Sequence, residues 1–434
     1  MATTLTAAPS QRGYFGPMLI IGVLFFIFGF VTWLNGPLTI FVKLAFNLDD
    51  VSAFLIPVAF YLSYFCLALP SSVVLRRTGM KKGMALGLFV MAIGAVLFGE
   101  FINIRSYHGA LVGLFVIGAG LSLLQTASNP YISILGPIDS AAQRIAFMGI
   151  CNKVAGALAP LVFGALVLSG IDTLDQQVKD APTAAAREAL LNGFAARVYW
   201  PYMAMAVLLV LLAIWVVCSS LPEIKPAGAN DERAIGHAGR SIYSFPHMWL
   251  GVLCLFLYVG VEVMAGDAIG IYGQGFGLPL DATKHFTSYT MLGMLAGYVV
   301  GLLVIPRFIS QQRYLAVSAV LGVLFAIGAY VTRGYVSVGF VAALGFANAM
   351  MWPAIFPLAI KGLGRHTEAA SALLIMGIVG GALIPQVFVH LKQLIDFQLA
   401  FLCVMVPCYL YILYYGLAGH RIGQAAASSA AQGT

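Results

Sequence analysis

The chain has 434 residues, of which 61% are hydrophobic and only 9% are charged. So much apolar surface with so little charge excludes an ordinary soluble globular protein. The net charge of +7 comes from basic residues that are dispersed without a long basic tract, so it does not indicate a nucleic-acid partner.

Apolar stretches of about 20 residues, long enough for a helix to cross a hydrocarbon layer of roughly 30 Å, recur along the chain. The polar residues 1–13 lack a cleavage signature, so we expect no removable signal peptide. Most of the surface is expected to face membrane lipid. The pattern predicts an all-α membrane protein with twelve transmembrane helices, at residues 16–40, 51–75, 83–102, 109–135, 145–170, 199–221, 248–272, 285–308, 312–332, 335–361, 368–391 and 397–418.

The distribution of lysine and arginine predicts the orientation in the membrane. An even number of spans places both termini on one side, and the loops of that side hold most of the basic residues. Because cytoplasmic loops carry lysine and arginine in excess, we predict that both termini are cytoplasmic. Four of these residues, Arg76, Arg77, Lys81 and Lys82, fall between the second and third spans.

The least hydrophobic internal stretch separates six predicted spans from six. Residues 222–245 are rich in Pro, Gly and charge, which is typical of a linker. We therefore predict an N-terminal half at 1–221, a cytoplasmic linker at 222–245, and a C-terminal half at 246–434 that ends in a short cytoplasmic tail. Residues 171–197, between spans five and six, predict a short surface helix.

The two halves also repeat weakly in sequence. Gln125 is followed by Asn129 and a proline, and Asn348 is followed at the same spacing by Trp352 and a proline. A GALxP run comes later in each half. Two parallel six-helix repeats predict a transporter with its substrate site near the membrane midplane, between the halves.

Polar side chains inside a membrane cost about 2.5–3.5 kcal/mol or more at its centre, so they usually face a cavity or a partner. In this architecture the first, fourth, seventh and tenth spans line the cavity. All four carry such groups, namely Trp33, Asn35, Gln125, Asn129, Glu262, Asp267, Asn348 and Trp352.

Amides and indole rings together suit a neutral sugar, since hydroxyl groups need donors and acceptors while C–H faces stack on aromatic rings. Three other interpretations remain open. The amides could join helices to one another, and Trp33 and Trp352 could belong to interfacial belts. Glu262 and Asp267 could merely solvate an outer vestibule.

Other chemistry has little support in the sequence. The six cysteines fall inside predicted spans, and no Cys or His spacing is typical of a metal or disulfide framework. We therefore expect no metal and no cofactor apart from a coupling ion. A membrane-embedded enzyme is disfavoured because no nucleophile-and-base motif occurs, and a channel is disfavoured because no filter-like sequence occurs.

Four stretches resemble the fucose:proton symporter family of the major facilitator superfamily, with most similarity to its glucose/galactose and N-acetylglucosamine branch. They are GFVTWLNGPL (29–38), LQTASNPYISILGP (124–137), AAQRIAFMGICNK (141–153) and MWPAIFPLAIKGLGRHTEAAS (351–371). The resemblance implies the major facilitator fold and sugar transport. It also implies that Asn152 contributes to sugar binding, and that Arg76, Arg77, Lys81 and Lys82 help to hold a cytoplasmic gate. Ordinary positive-inside charge explains those four residues equally well.

The chain departs from the fucose transporter at two acidic positions. An aspartate in span one and a glutamate in span four of that protein correspond here to Gly36 and Gln125, which do not titrate. If transport is coupled to a proton or to sodium, the deepest remaining carboxyl groups are Glu262 and Asp267. Lys153 requires an acidic partner that the sequence does not identify.

The sequence therefore predicts a secondary active transporter that imports a hexose or amino-hexose of the glucose/galactose type by cation symport. The alternatives are a sugar uniporter and a carrier of fucose or another sugar. We expect a monomer in the inner membrane of a bacterium.

Overall fold

The computed structural model describes residues 15–134, 141–222, 241–305, 307–363 and 366–423. Within these residues all regular secondary structure is helical. Most of the predicted linker, residues 223–240, and the tail after residue 423 lie outside the described part of the chain.

The N-terminal half contains six helical spans and two helices of a connecting loop. The first span is made of α1 and α2, the second of α3 and α4, and α8 and α9 form the loop before the sixth span. The helices are α1 Phe15–Thr32, α2 Asn35–Ala45, α3 Asp50–Ala53, α4 Leu55–Thr78, α5 Met80–Asn103, α6 Tyr107–Ile134, α7 Ala141–Leu166, α8 Ile171–Lys179, α9 Ala184–Ala196 and α10 Tyr199–Cys218.

The C-terminal half repeats this arrangement with its own six spans. The seventh span is made of α11 and α12, and the tenth of α16 and α17. The helices are α11 Pro246–Gly266, α12 Ile269–Gln274, α13 Leu280–Thr283, α14 Phe286–Val304, α15 Gln311–Val331, α16 Gly334–Asn348, α17 Met351–Ile360, α18 Thr367–Met376, α19 Gly380–Leu391 and α20 Phe397–Leu417, with 3₁₀ turns at Ile242–Ser244, Gly377–Val379 and Gly419–Arg421.

The predicted number of spans is confirmed, since 12 helical segments of the described residues are long and apolar enough to cross a membrane. Their bounds agree with the predicted spans to within a few residues, except that the sixth is extended by α9. The loop at 171–197 forms two helices instead of the single one predicted. The sequence separates the two helices, because Lys179 lies in the last turn of α8 and the side chain of Thr183 caps the start of α9.

Two of the cavity-lining spans are interrupted four residues before a proline. The first span breaks at Trp33 and Leu34, before Pro37, and the tenth breaks at Ala349 and Met350, before Pro353. Proline has no N–H, so the carbonyl of the residue four positions earlier loses its helical partner. The sequence therefore places a local distortion beside the polar residues of each span.

The seventh span breaks without a proline. The backbone N–H groups of Asp267 and Ala268 both donate to the carbonyl of Val263, so the last turn of α11 widens and ends. The freed carbonyls of Ala265 and Gly266 accept hydrogen bonds from Thr290 and Thr287 of α14, at 2.7 and 2.8 Å. These hydroxyls replace the missing helical donors and fix Asp267 at the break.

The two halves meet at the face opposite the chain termini. Asp50 of the N-terminal half is paired with Lys43 at 2.6 Å and also with Lys392 of the C-terminal half, while Lys43 donates to Gln274 at 3.1 Å. Nearby, Asp172 accepts hydrogen bonds from the first backbone N–H groups of α13. Polar contacts between the halves therefore close this face.

Replacing Asp50 by Asn should open this face more often. Ile40 of the first span is 3% exposed, and it lies 2.7 Å from the position of a Cβ built at Gly270 of the seventh span. An Ile40→Cys substitution, made after the native cysteines are replaced, therefore becomes accessible only when the halves separate. We expect Asp50→Asn to speed labelling of that cysteine by a maleimide about three- to tenfold, because each partly exposed ion pair contributes up to about 1 kcal/mol.

Asp175→Asn is the matched control, because it removes the Lys179–Asp175 pair, which lies within α8 of one half. It should leave the labelling rate unchanged. Equal rates for Asp50→Asn and the parent would show that these pairs do not hold the face closed.

Candidate functional site

Trp33 lies at the centre of the molecule, where the first span breaks. Its side chain is 3% exposed, and its indole N–H points to Oδ1 of Asn152 on α7 at 3.4 Å. A Cβ at Gly156 would sit 2.5 Å from this ring, and a Cβ at Gly266 would sit 2.4 Å from it. The two glycines therefore make room for the indole between α7 of one half and α11 of the other.

Lys153 and Glu262 form an ion pair across the halves. The ammonium of Lys153, on α7, is 2.9 Å from Oε1 of Glu262, on α11, and the two side chains are only 7% and 11% exposed. The same ammonium lies 4.4 Å from the centroid of the Trp33 ring, which adds a cation–π contact. The acidic partner that Lys153 requires is therefore Glu262.

Asp267 lies in a different environment from Glu262. It is 1% exposed, and its Oδ2 accepts a hydrogen bond from the hydroxyl of Tyr61 on α4 at 3.4 Å. Its Oδ1 lies beside Gly36 and makes no hydrogen bond within the described part of the chain. No lysine, arginine or histidine among the described residues lies within 4.0 Å of this carboxyl group.

Gly36 allows Asp267 to approach the opposite half. A Cβ at position 36 would sit 2.5 Å from Oγ1 of Thr287 and 3.3 Å from Oδ1 of Asp267. The Thr287 hydroxyl thus takes most of the space that a side chain at position 36 would need, and the Asp267 carboxyl group lies beside it. Asp267 is therefore buried at the interface between the halves.

Three of the predicted amides have buried polar atoms without a partner among the described residues. These atoms are Nδ2 of Asn35, Nδ2 of Asn348 and Oε1 of Gln125. The other end of Asn348 is fixed, because its Oδ1 accepts a hydrogen bond from Tyr409 at 2.8 Å. A buried amide without a partner is costly, so such groups are suited to bind water or the hydroxyl groups of a ligand.

Three of the predicted site residues are partly exposed, two on α6 and one on α17. Gln125 and Asn129 of α6 are partly exposed, as is Trp352 of α17. Trp352 stacks on Phe356 at 6.0 Å and lies 6.5 Å from Tyr258, which is one turn before Glu262. Trp352, Phe356 and Tyr258 therefore form a second aromatic region, within the C-terminal half.

Comparison with known proteins identifies the family. Residues 21–385 match the model of the Major Facilitator Superfamily. The chain belongs to the Major Facilitator Superfamily. A glucose/galactose transporter of Brucella abortus is 33% identical over 420 residues, which cover 96% of this chain and 97% of that one. An L-fucose-proton symporter of Escherichia coli is 29% identical over 388 residues, which cover 88% and 87% of the two chains.

The fold of the superfamily is also supported by solved structures. The superfamily transporter FucP, crystallised in the outward conformation, matches with a TM-score of 0.74 and 26% identity over 93% of this chain and 99% of that one. The protein is therefore a multi-pass membrane transporter, as the sequence predicted, and not a membrane-embedded enzyme.

The predicted gating loop of this superfamily member lies between α4 and α5. Arg76 and Arg77 are exposed in the last turn of α4, and Lys82 is exposed near the start of α5. Lys81 donates to the carbonyl of Ser219 at 2.8 Å, so it joins α5 to the end of α10 within one half. The role of these four residues in a gate stays a prediction.

Sequence reasoning missed Tyr61 and Thr287. Tyr61 donates a hydrogen bond to the Asp267 carboxyl group, and Thr287 fixes the helix break beside it. Both residues lie in spans that were not predicted to line the cavity. The available signal was weak, because hydroxyl groups also occur in spans where they bond only to their own helix.

Proposed function

We propose that this transporter imports a hexose or amino-hexose of the glucose/galactose type together with a proton, which Asp267 carries. The observation that carries the proposal is the difference between the two buried carboxyl groups. Glu262 is neutralised by Lys153, whereas Asp267 is buried between the halves with no cationic group of the described residues within 4.0 Å. An ionised carboxylate in that position is costly to bury, so the closed arrangement favours a protonated Asp267.

This difference couples the movement of the halves to the proton. When the halves separate, Asp267 becomes accessible to water and can exchange its proton. When they meet, it packs against Gly36 and Tyr61 of the opposite half. Transport of a proton and a sugar through the same movement of the halves gives symport with alternating access.

The sugar is proposed to bind between Trp33 and the amides around it. Asn35, Gln125, Asn152 and Asn348 offer both donors and acceptors, while the indole offers a stacking face. We propose that Asn129 and Trp352 extend this region toward the side of the termini. The matching relatives include a glucose/galactose transporter, which supports a hexose as substrate.

The E. coli relative is named a fucose-proton symporter, which supports the proton over sodium as the coupling ion. Fucose, N-acetylglucosamine and uniport remain alternatives for this chain. With the predicted orientation, the closed face lies on the outside, and import delivers the sugar to the cytoplasm of a bacterium.

Uptake by proteoliposomes tests the proposal. Labelled glucose, galactose, N-acetylglucosamine and fucose are supplied separately under an inward proton gradient, an inward sodium gradient or no gradient. We expect accumulation of at least one hexose above equilibrium only under the proton gradient. Equilibration without accumulation would establish a uniporter, and transport of none of the four sugars would overturn the proposed substrate class.

A further inference from the structure

The proton-carrying role proposed for Asp267 leaves the Lys153–Glu262 pair without a function. The pair joins α7 of the N-terminal half to α11 of the C-terminal half, so it exists only when the halves meet at the centre of the molecule. Both side chains are almost completely buried there. Two opposite charges have thus been placed where each depends on the other half.

Burial makes this pair sensitive to the loss of either charge. A close ion pair is nearly neutral as a unit, but removal of one partner leaves an uncompensated charge in a medium of low dielectric. The cation–π contact with Trp33 compensates the ammonium of Lys153 only in part. The closed arrangement therefore tolerates two charges or none, but not one.

We propose that the Lys153–Glu262 pair makes closure depend on the charge of the site. The halves close only when Glu262 is ionised opposite the ammonium of Lys153. This inference rests on the proposed movement of the halves, but it requires neither a particular sugar nor a proton on Asp267. Lys153 acts through its contacts with Glu262 and Trp33, so it is a positioning residue.

The two acidic residues then have opposite requirements. Taken together with the proton proposed for Asp267, closure is favoured by a protonated Asp267 and by an ionised Glu262. Protonation of Glu262 would leave Lys153 alone and keep the halves apart. The titratable groups that face Glu262 from the helices packed around it are Lys153, Asp267, Tyr61, Tyr258, Tyr298 and Tyr409.

Of these groups, the four tyrosines are neutral at acidic and neutral pH, and Lys153 is the only cation. An acid-induced opening therefore has Glu262 as its source among the facing groups, because protonation of Asp267 works in the opposite direction. This separates the contributions of the two carboxyl groups.

The test uses maleimide labelling of an Ile40→Cys variant in nanodiscs without sugar. The six native cysteines of this variant are replaced, so that only position 40 reacts. Lys153→Met and Glu262→Gln should each speed labelling by about a hundredfold, because each buries a single charge on closure. The double variant Lys153→Met/Glu262→Gln should label within about threefold of the parent. Lys179→Met/Asp175→Asn, which removes the exposed pair within α8, should not change the rate.

The pH dependence of the labelling rate distinguishes control of closure by charge from a merely structural role of the pair. Between about pH 7 and about pH 4, with Asp267→Asn in both proteins, the labelling rate of the parent divided by that of the double variant should rise as the pH falls. The ratio cancels the slower reaction of maleimide with a protonated thiol, which affects both proteins equally. The Asp267→Asn background keeps this result independent of the proton proposed for Asp267. It also needs neither single variant to fold.

Three outcomes would overturn the proposal. Unchanged labelling in both single variants would show that the charges do not control closure. Labelling of the double variant as fast as that of the single variants would show that matching of the charges is not the cause. A ratio of parent to double-variant labelling that stays constant as the pH falls would show that ionisation of Glu262 does not control closure.

Discussion

Asp267→Asn should abolish accumulation of sugar driven by a proton gradient while sugar exchange continues. Asparagine has the shape of a protonated aspartate and no charge, so it can keep the contact with Tyr61 and pack beside Gly36 without taking up a proton. The halves should therefore move with sugar alone. Accumulation under a proton gradient, measured in proteoliposomes, should fall to the level reached without a gradient.

Glu262→Gln provides the contrast, because it changes the other buried carboxyl group in the same way. It leaves Lys153 without its partner, so both accumulation and exchange should be lost. Accumulation that survives in Asp267→Asn would show that the proton is carried elsewhere. Loss of exchange in Asp267→Asn would show that the aspartate serves sugar binding or folding instead of coupling.

The helical architecture was predictable because the membrane imposes it. A span needs about 20 apolar residues, and every backbone group inside lipid needs an internal partner, so hydropathy determines both the number and the type of the elements. The breaks in the first and tenth spans were also readable, since Pro37 and Pro353 remove specific helical donors. These features depend only on local sequence.

The contacts between spans were not predictable in the same way. Lys153 needed an acidic partner, but nothing near it in sequence shows that α7 lies against α11. Glu262 and Asp267 are five residues apart, or about 140° around an ideal helix, which predicts only that they need not share one environment. The structure places them against different helices, Glu262 at Lys153 and Asp267 at Tyr61.

The two positions that differ from the fucose transporter illustrate the same limit. The resemblance implies a loss of carboxyl groups at Gly36 and Gln125, and it leaves the source of any replacement open. In the structure, Oδ1 of Asp267 approaches the position that a Cβ at Gly36 would take. A carboxyl group from the seventh span thus lies beside the position that the first span leaves without a side chain, and only the three-dimensional arrangement shows this.

Trp33→Ala should weaken sugar binding more than any change to a single amide of the site. The indole is enclosed by Gly156 and Gly266, points to Asn152 and lies under the ammonium of Lys153. Removing it deletes the proposed stacking face and leaves a cavity at the centre of the molecule. We expect the affinity for the transported hexose, measured by titration calorimetry, to fall at least about tenfold.

Two further variants separate stacking from hydrogen bonding and from general damage. Trp33→Phe keeps an aromatic face and loses the indole N–H, so its affinity should lie between those of the parent and Trp33→Ala. Trp200→Phe changes a tryptophan that is 74% exposed at the start of α10 and should leave affinity unchanged. If Trp33→Ala binds the hexose as tightly as the parent, the sugar does not stack on this ring. The second aromatic region, around Trp352, Phe356 and Tyr258, would then be the better candidate for the sugar-binding site.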